Sequence, residues 1–246
     1  MTDSTSRVAI VTGGSRGIGR RTAEKLAAEG YSVVINYAGN DVEAKAAVDA
    51  ITAGGGKAVA AKGDVSEPES VKKVFDLAER EFGGVDVVVH AAGVMTAPTP
   101  IADTDFEVLD RVHRVNIRGT FAVAQQAARR VRAGGAIITF STSVLGTSFP
   151  GYGVYVATKG AVEAITMVLA RELRGRDITV NTVAPGPTAT DLFLDGKDEE
   201  TIARLAAQTP LERIGTPDDI AATVSFLAGP ARWVNGQVLR TNGGLV

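Results

Sequence analysis

Short apolar runs alternate along the chain with longer stretches in which apolar and polar positions recur at helical spacing. The short runs are rich in β-branched residues, which predicts strands. The predicted strands are Val8–Thr12, Val33–Tyr37, Ala58–Lys62, Val85–His90, Ala136–Ser141, Thr179–Ala184 and Gln237–Thr241. Val87, Val88 and Val89 follow one another without a polar interruption, which is typical of a strand covered on both faces.

The stretches between these runs predict helices. They are Gly17–Glu29, Asp41–Ala53, Glu67–Phe82, Asp105–Arg132, Tyr155–Arg174 and Asp218–Ala228. Strand and helix alternating in this way predict right-handed crossovers and a parallel sheet with helices on both faces. Two glycine groups, at 54–56 and at Gly134–Gly135, are expected to end helices. Because no linker or repeat interrupts the pattern, we predict one α/β domain over residues 1–246, a doubly wound Rossmann-type parallel sheet of about seven strands.

One segment, residues 185–215, breaks this rhythm. It runs through Pro185-Gly186-Pro187 and several polar positions before a short helical patch at Asp198–Ala207. A long insertion between two strands is more often functional than structureless, and in an open sheet it would lie above the strand ends where ligands bind. We therefore predict a substrate lid over residues 187–209. A surface insertion that only packs explains the segment nearly as well.

Composition narrows the classes of function. Apolar residues make up 45% and charged residues 22% of the 246 positions, which is typical of soluble globular proteins. The net charge of -2 gives no reason to expect a nucleic-acid partner. The chain has no cysteine and only two histidines, which excludes disulfides and argues against a metal site. No apolar run approaches the ~18 residues of a membrane span, and residues 1–7 lack the apolar core of a signal peptide, so we expect a cytoplasmic protein without a membrane partner.

The most informative segment follows the first predicted strand and reads Thr12-Gly13-Gly14-Ser15-Arg16-Gly17-Ile18-Gly19. A chain that turns on glycines between a buried strand and a helix aims backbone N–H groups and the positive end of the helix at one point. Such a point is a seat for phosphate or pyrophosphate. The spacing is looser than the G-x-G-x-x-G fingerprint of dinucleotide sites. Taken alone, a plain tight connection explains it equally well.

The same turn also satisfies G-x-S-x-G, the nucleophile elbow of α/β-hydrolases, with Ser15 as the nucleophile. That fold needs several strands before the serine, and an acid and then a histidine late in the chain. Here the serine follows the first strand and the last histidine is His113. A hydrolase is therefore disfavoured, and Ser15 is interpreted as a phosphate or turn contact.

The end of the second predicted strand bears on the choice of cofactor. An NAD site usually places an acidic residue about 20 residues past the glycines, where it binds the ribose 2′-hydroxyl. Here the strand ends without an acid before Asp41, and Arg16 in the glycine turn carries a charge suited to a 2′-phosphate. We therefore predict a preference for NADP(H) over NAD(H). The alternative for Arg16 is a solvated loop charge.

Tyr155 and Lys159 are spaced i, i+4 within a predicted helix, so they share a face. A free phenol has a pKa of about 10, and an adjacent ammonium lowers that pKa. The pair could then act as a general acid toward a carbonyl oxygen or as a base toward an alcohol. A Tyr-x-x-x-Lys match is common by chance, and a half-buried tyrosine beside a surface lysine explains the match alone.

Further motifs occur in a specific order around this pair. They are the glycine turn, His90-Ala91-Ala92-Gly93 after the fourth strand, Asn116 on the long helix, the hydroxyl cluster Ser141-Thr142-Ser143, and Pro185-Gly186 after the sixth strand. With these motifs the chain resembles the short-chain dehydrogenase/reductase superfamily over essentially its full length. Within it, the chain is most similar to 3-oxoacyl-[acyl-carrier-protein] reductases and the trihydroxynaphthalene-reductase-like group.

The resemblance implies roles for individual residues. Tyr155 would be the proton donor or acceptor, Lys159 would bind the nicotinamide ribose and lower the tyrosine pKa, and Asn116 would anchor a water that connects Lys159 to solvent. Ser143 would hydrogen-bond the substrate carbonyl. The implied contacts to the NADP(H) cofactor are Gly13, Ser15, Arg16, Gly17, Ile18, Gly19, Tyr37, Asn40, Asp64, Val65, Ala91, Ala92, Gly93, Tyr155, Lys159, Pro185, Gly186 and Thr188.

Two positions depart from the family pattern. The family usually has Asn where His90 stands; we expect His90 to keep a structural hydrogen bond and give it no catalytic role. The serine stands twelve residues before Tyr155 if Ser143 is chosen, where thirteen is usual, and counting from the strand start selects Thr142. A one-residue bulge would reconcile the two counts. We choose Ser143 because the turn that follows it matches best.

The leading prediction is NADPH-dependent reduction of a ketone, such as a 3-oxoacyl thioester, to a secondary alcohol. A dehydrogenase that oxidises a secondary alcohol or sugar, and a non-catalytic dinucleotide-binding sensor, are the alternatives. The expected substrate wall is apolar and consists of Val94, Met95, Leu145, Phe149, Tyr152, Leu192, Phe193 and Leu194.

Partners are predicted less directly. The resemblance implies a homotetramer, with the long helices at Asp105–Arg132 and Tyr155–Arg174 forming one interface. Arginines end both helices, which would suit an acidic acyl carrier protein. However, basic residues also offset the macrodipole at helix C-termini, and that explanation is the stronger one.

Overall fold

A single sheet of seven parallel strands forms the centre of the molecule. The computed structural model describes residues 6–246. Its strands are β1 (Val8–Thr12), β2 (Ser32–Tyr37), β3 (Lys57–Lys62), β4 (Val85–His90), β5 (Val131–Phe140), β6 (Thr179–Pro185) and β7 (Val238–Thr241), in the order β3-β2-β1-β4-β5-β6-β7. The predicted fold class is confirmed. Because the winding direction reverses between β1 and β4, a crevice opens there at the carboxyl ends of the strands, which is where open α/β sheets bind ligands.

Helices cover both faces of this sheet. They are α1 (Gly17–Ala28), α2 (Asp41–Ala53), α3 (Pro68–Phe82), α4 (Phe106–His113), α5 (Gly119–Arg130), α6 (Val144–Thr147), α7 (Gly153–Glu172), α8 (Asp191–Leu194), α9 (Glu199–Ala207) and α10 (Pro217–Ala228). A single 3₁₀ turn lies at Ile101–Asp103, and a π-helical turn at Arg114–Arg118 joins α4 to α5. The prediction about a signal peptide concerns residues 1–7, of which residues 1–5 lie outside the described part of the chain.

The core consists of two apolar layers, one on each side of the sheet. Ile10 packs with Phe75 of α3 in one layer, and the next residue, Val11, packs with Leu26 of α1 in the other. Alternate strand residues face opposite sides, so a strand that is apolar at every position supplies both layers. Each such fully buried side chain contributes about 1.5–3 kcal/mol. This double coverage fixes the sheet rigidly under the crevice.

The prediction of one regular helix over Asp105–Arg132 is wrong, because the helix is interrupted and ends earlier than predicted. The π-helical turn interrupts it, and α5 stops at Arg130, because Val131 already belongs to β5. Gly134 and Gly135 therefore do not end a helix. They lie in the irregular first half of β5, where the pairing register with β4 shifts and Gly134 takes a φ of +79°. The other glycine prediction is confirmed, since Gly54 caps α2.

The segment predicted as a lid contains two short helices instead of one. Thr190 caps α8 and Asp198 caps α9, each by accepting a backbone N–H. Helix α7 is the one helix of residues 6–246 that is long and apolar enough to cross a membrane by length and composition. Its contacts with β5 and β6 account for the apolar residues on its inner face.

Candidate active site

In the glycine turn between β1 and α1, backbone segments pack directly against one another. Gly13 has a φ of +64°, and a Cβ there would lie 2.8 Å from the Ala92 nitrogen. A Cβ on Gly19 would overlap the Gly13 carbonyl oxygen. These glycines let the turn, the first coil of α1 and the loop after β4 approach one another, which gives a bound group close access to backbone N–H donors.

The N-terminus of α1 is open to an anion. Its capping residue, Arg16, makes no side-chain cap hydrogen bond, and the first turn holds no acidic residue. By contrast, Asn40 caps α2 by accepting from the backbone nitrogens of Val42 and Glu43 at 3.1 Å each. Arg16 itself is exposed beside the turn, while Ser15 is buried. The arrangement fits a phosphate group at α1.

The end of β2 offers no free carboxylate. Asp41 accepts a hydrogen bond from the Tyr37 hydroxyl at 2.8 Å and pairs with the Lys62 ammonium at 3.0 Å. These bonds, that to Lys62 first, hold the pKa of Asp41 below its usual value. Beyond β3, the Asp64 carboxylate accepts from the Ser66 backbone nitrogen at 2.8 Å. The charge of the nearest carboxylate after β2 is therefore offset by the Lys62 ammonium. A 2′-phosphate bound nearby would be repelled less than by an unpaired carboxylate.

Asn116 lies fully buried in the π-helical turn, with its amide engaged on both sides. Its Oδ1 accepts from the Val94 nitrogen at 2.8 Å, and its Nδ2 donates to the Val94 carbonyl at 2.9 Å and to the Thr158 hydroxyl at 3.0 Å. A Cβ at Gly93 would lie 3.4 Å from both Asn116 Oδ1 and Lys159 Nζ. The glycine therefore brings the predicted Asn116 and Lys159 to the same side of the loop after β4.

Three residues spaced one turn apart on α7 contact three consecutive residues at the end of β5. Lys159 Nζ donates to the Phe140 carbonyl at 2.9 Å, and the Ser141 hydroxyl donates to Glu163 Oε1 at 2.6 Å. The Thr142 hydroxyl lies near enough to the Tyr155 phenol to act on its pKa. Lys159 Nζ also lies 5.7 Å from the centre of the Tyr155 ring. The structure thus brings the predicted tyrosine and lysine together at the carboxyl edge of the sheet.

The ionisation of this pair differs from the sequence expectation. Burial raises the pKa of Tyr155 to about 12, although the Thr142 hydroxyl partly opposes the rise. Burial also lowers the pKa of Lys159 to about 8. We expected the lysine charge to lower the tyrosine pKa. Because Lys159 donates to the Phe140 carbonyl and not to the phenol, desolvation dominates instead.

Ser143, chosen from the sequence as the carbonyl ligand, has its hydroxyl engaged in two other hydrogen bonds. Its hydroxyl donates to the Ala184 carbonyl at 3.1 Å and accepts from Asn242 Nδ2 at 3.0 Å. Thr142, and not Ser143, is the hydroxyl that acts on the Tyr155 pKa. The sequence did indicate Thr142, because it stands at the usual thirteen residues before Tyr155. We gave that spacing less weight than the match of the turn that follows Ser143.

The remaining predicted cofactor residues lie at the same edge. Ala91 and Ala92 follow β4 against the glycine turn, and the Ala91 nitrogen donates to the Thr12 carbonyl at 3.2 Å. After β6, a Cβ on Gly186 would lie 2.8 Å from the Asn242 Cα, and Thr188 is buried. The predicted contacts that this edge gathers are Gly13, Ser15, Gly17, Ile18, Gly19, Ala91, Ala92, Gly93, Pro185, Gly186 and Thr188. Val65 is buried after β3.

Among the residues predicted to form the substrate wall, Phe149 and Tyr152 lie together. The rings of Phe149 and Tyr152 lie 6.4 Å apart between their centres, next to the start of α7. Leu192 on α8 is half exposed. Within residues 6–246, no three His, Asp or Glu side chains cluster so as to hold a metal ion. Glu163 was missed from the sequence, although its place one turn beyond Lys159 is visible there.

Comparison with known proteins gives consistent matches along the chain. A family model described as Enoyl-(Acyl carrier protein) reductase matches residues 13–246. The chain is 45% identical over 250 residues to a short-chain type dehydrogenase/reductase of Picea abies, covering 98% of this chain and 92% of that protein. It is 43% identical over 254 residues to an NADPH-dependent aldehyde reductase-like protein, chloroplastic, of Arabidopsis thaliana, covering 98% and 94%. A solved short chain dehydrogenase from Burkholderia cenocepacia J2315 in complex with NADP superposes with a TM-score of 0.91 at 36% identity, covering 97% of each chain.

Proposed function

The chain belongs to the short-chain dehydrogenase/reductase family, and on that premise we propose that it is an NADPH-dependent reductase of a carbonyl compound. The observation that carries the proposal is the meeting of Tyr155, Thr142 and Lys159 at the carboxyl edge of the sheet, beside the open N-terminus of α1. A protein that only sensed the dinucleotide would have no use for a phenol and a hydroxyl aimed at one point.

The residues present fit NADPH. The uncapped α1 N-terminus and its glycine cradle suit the pyrophosphate, and Arg16 suits the 2′-phosphate. The cofactor supplies the hydride when bound. The relatives named as NADPH-dependent reductases, and the NADP-bound structural neighbour, support the same assignment.

The chain's own contribution is placement and a proton. Thr142 and Tyr155 hydroxyls would hydrogen-bond the carbonyl oxygen, which polarises the C=O bond. As that oxygen becomes an alkoxide, the Tyr155 O–H bond breaks and its proton passes to the oxygen, leaving a phenolate. A pKa of about 12 keeps Tyr155 protonated at neutral pH, which suits an acid for reduction. Lys159, held by the Phe140 carbonyl, would place its ammonium 5.7 Å from the ring centre of that phenolate.

We propose a ketone or an aldehyde with an apolar substituent as the substrate class. Phe149 and Tyr152 give an apolar wall next to the phenol, and the half-exposed Leu192 lies in the proposed lid over residues 187–209. The named aldehyde reductase relative supports the aldehyde, and the resemblance to 3-oxoacyl-[acyl-carrier-protein] reductases supports the ketone. The relative named as an NADPH-dependent aldehyde reductase-like protein favours reduction over the oxidative direction.

A panel of aldehydes, ketones and 3-oxoacyl thioesters with NADPH, followed by absorbance, tests the proposal. We expect turnover with at least one class, and a fall in kcat of about 100- to 10,000-fold in Tyr155→Phe. Tight NADPH binding with no turnover of any compound would instead support the sensor. Equal Michaelis constants for NADH and NADPH would contradict the cofactor preference.

A pair of variants decides between the two hydroxyls. Thr142→Val should lower kcat by about a hundredfold, because it removes one hydrogen bond to the developing charge. Ser143→Ala should keep kcat and lower stability by about 1 kcal/mol, because its hydroxyl bonds only the Ala184 carbonyl and Asn242. The reverse pattern would restore Ser143 to the role expected from the sequence.

We also propose that the chain assembles into a homotetramer. Phe121 on α5 and Val168 on α7 are both more than half exposed and line one groove between the two helices. Apolar side chains gathered on one surface mark an interaction site more often than scattered ones do.

A further inference from the structure

His90 is a buried imidazole that the proposed reaction does not use. It ends β4 with 4% of its surface exposed. Its Nδ1 lies 2.8 Å from the Thr12 hydroxyl, and its Nε2 lies 3.1 Å from the Thr120 hydroxyl. The ring therefore bridges the end of β1, where the glycine turn begins, and the first turn of α5.

The neighbouring hydrogen bonds fix which nitrogen carries the proton. The Thr120 hydroxyl donates its only hydrogen to the Asn116 carbonyl at 2.6 Å, so toward the ring it can only accept. The Nε2 must then be the N–H, and Nδ1 must accept from the Thr12 hydroxyl. Thr12 is free to donate, because its oxygen accepts from the Ala92 nitrogen at 3.2 Å. All four bonds point the same way along the chain of groups.

This chain of hydrogen bonds joins two parts of the active site. At one end, Ala92 lies in the loop after β4 that packs against the glycine turn. At the other end, Asn116 lies in the π-helical turn, a rare geometry that is frequent at functional sites. The Asn116 side chain in turn bonds Thr158 on α7, next to Lys159.

We propose that His90 is a positioning residue whose neutral ring, protonated on Nε2, holds the π-helical turn and Asn116 in a fixed place relative to the glycine turn. An imidazolium could not do this, because both of its nitrogens would donate and the Thr12 hydroxyl would have to reverse. Burial first, and the charge of Lys159 second, lower the pKa of His90 to about 3, so the neutral ring persists through the physiological range.

Nitrogen NMR of imidazole-labelled protein tests the ring directly. The chain has two histidines, so the spectrum is simple, and His113→Gln assigns its signals. We expect His90 to remain a single neutral tautomer with the proton on Nε2 from about pH 5 to 9. A proton on Nδ1, a mixture of tautomers, or titration near the ordinary histidine pKa would overturn the proposal. This arm needs no turnover.

The kinetic arm rests on the proposed reductase function and uses two variants of Thr120. Thr120→Val removes the hydroxyl but keeps the shape, and should lower kcat about tenfold while the KM for NADPH stays within about twofold. Thr120→Ser keeps the hydroxyl and should leave both constants within about twofold of the parent. Equal kcat in the two variants would overturn the proposal.

A third readout distinguishes a positioning role of His90 from a purely stabilising one, and it does not depend on the proposed function. In His90→Leu, the Asn116 amide signals should shift, whereas His90→Asn, which keeps a donor and an acceptor, should restore them. Unmoved Asn116 signals in a folded His90→Leu protein would contradict the positioning role. If the parent reduced no carbonyl compound, the proposed function would fail, while the two NMR readouts would still decide the role of His90.

Discussion

At the scale of single residues, the active site is governed by desolvation more than by charge pairing. Burial moves the pKa of Tyr155 up to about 12 and that of Lys159 down to about 8. Lys159 therefore loses its proton first as the pH rises, while the phenol stays neutral. This order suits the proposed role of Tyr155 as a proton donor with a cationic Lys159 beside it.

The first prediction concerns the pH dependence of reduction. With saturating NADPH and a substrate that does not titrate, kcat should be constant below about pH 8 and fall above it, because Lys159 with a pKa of about 8 then loses its charge. Lys159→Arg keeps a cation at all these values, so any activity it retains should not decline in this range. A parent kcat that is unchanged from pH 7 to 9.5 would contradict this.

The second prediction concerns acid stability. The folded pKa of His90 is about 3, below the value of about 6.5 in an unfolded chain. Between these values the unfolded chain binds a proton that the folded chain does not, so stability is full above about pH 6.5 and falls as the pH falls. The urea midpoint of the parent should therefore drop more between pH 7 and 5 than that of His90→Asn. His113 is present in both proteins, and parallel drops would be inconsistent with a buried neutral His90.

The sequence identified which residues form the candidate site but not their burial or their hydrogen-bond partners. The spacing of Tyr155 and Lys159 predicted a shared helix face, and the structure brings them together. The direction of the tyrosine pKa shift could not be predicted, because it depends on burial and on the Phe140 carbonyl that binds Lys159. Likewise, Ser143 and Thr142 differ by one position in a strand end, and only the backbone path decides which hydroxyl faces the phenol.

At the scale of elements, the end of β5 is fastened to α7 by three side-chain contacts one helical turn apart. Glu163 makes the outermost contact, to the Ser141 hydroxyl. Because Ser141 immediately precedes Thr142, this bond fixes the strand end that presents Thr142 to Tyr155. We therefore expect Glu163 to act as a positioning residue for Thr142.

The third prediction follows from this contact. Glu163→Gln keeps an acceptor for the Ser141 hydroxyl and should hold kcat within about threefold of the parent, whereas Glu163→Ala should lower it about tenfold. Ser141→Ala removes the other partner and should match Glu163→Ala. The double variant should then be no worse than either single variant, since the two side chains act through one bond. Additive losses would argue against the shared bond.

Element boundaries were predictable where local signals agreed. The cap at Gly54 and the strand runs of β1 and β4 show this. The start of β5 was not predictable, because Gly134 serves a register shift within the strand and not the end of a helix. The π-helical turn carries no sequence signature of its own, since its residues read as ordinary helix.

At the scale of the whole molecule, the fold leaves an apolar groove between α5 and α7 on the outside. Val168 lies nine residues after Lys159, which at 100° per residue places it on the opposite face of α7. The inner face of this helix carries Lys159, which contacts the end of β5, and the outer face has Phe121 of α5 beside it.

The fourth prediction tests this surface as a contact between copies. Light scattering should give the parent a mass of four times the 25.5 kDa chain, and Phe121→Glu should give a smaller species, because a buried unpaired charge costs several kcal/mol at an interface. Val42→Glu, which replaces a still more exposed apolar residue on α2, away from this groove, is the control and should keep the parent's mass. A parent that runs as a monomer would refute the tetramer.

In the proposed tetramer, the two faces of α7 would make the Tyr155 phenol sensitive to events outside its own subunit. A helix is a stiff rod over this length, so a tilt imposed where neighbouring copies touch reaches Tyr155 without a loop in between to absorb it. Dilution, crowding or a surface substitution far from the crevice would then register as a change in turnover. A substitution in α7 would then change the catalytic rate and the quaternary structure together, because the twenty residues of this helix would contribute to both.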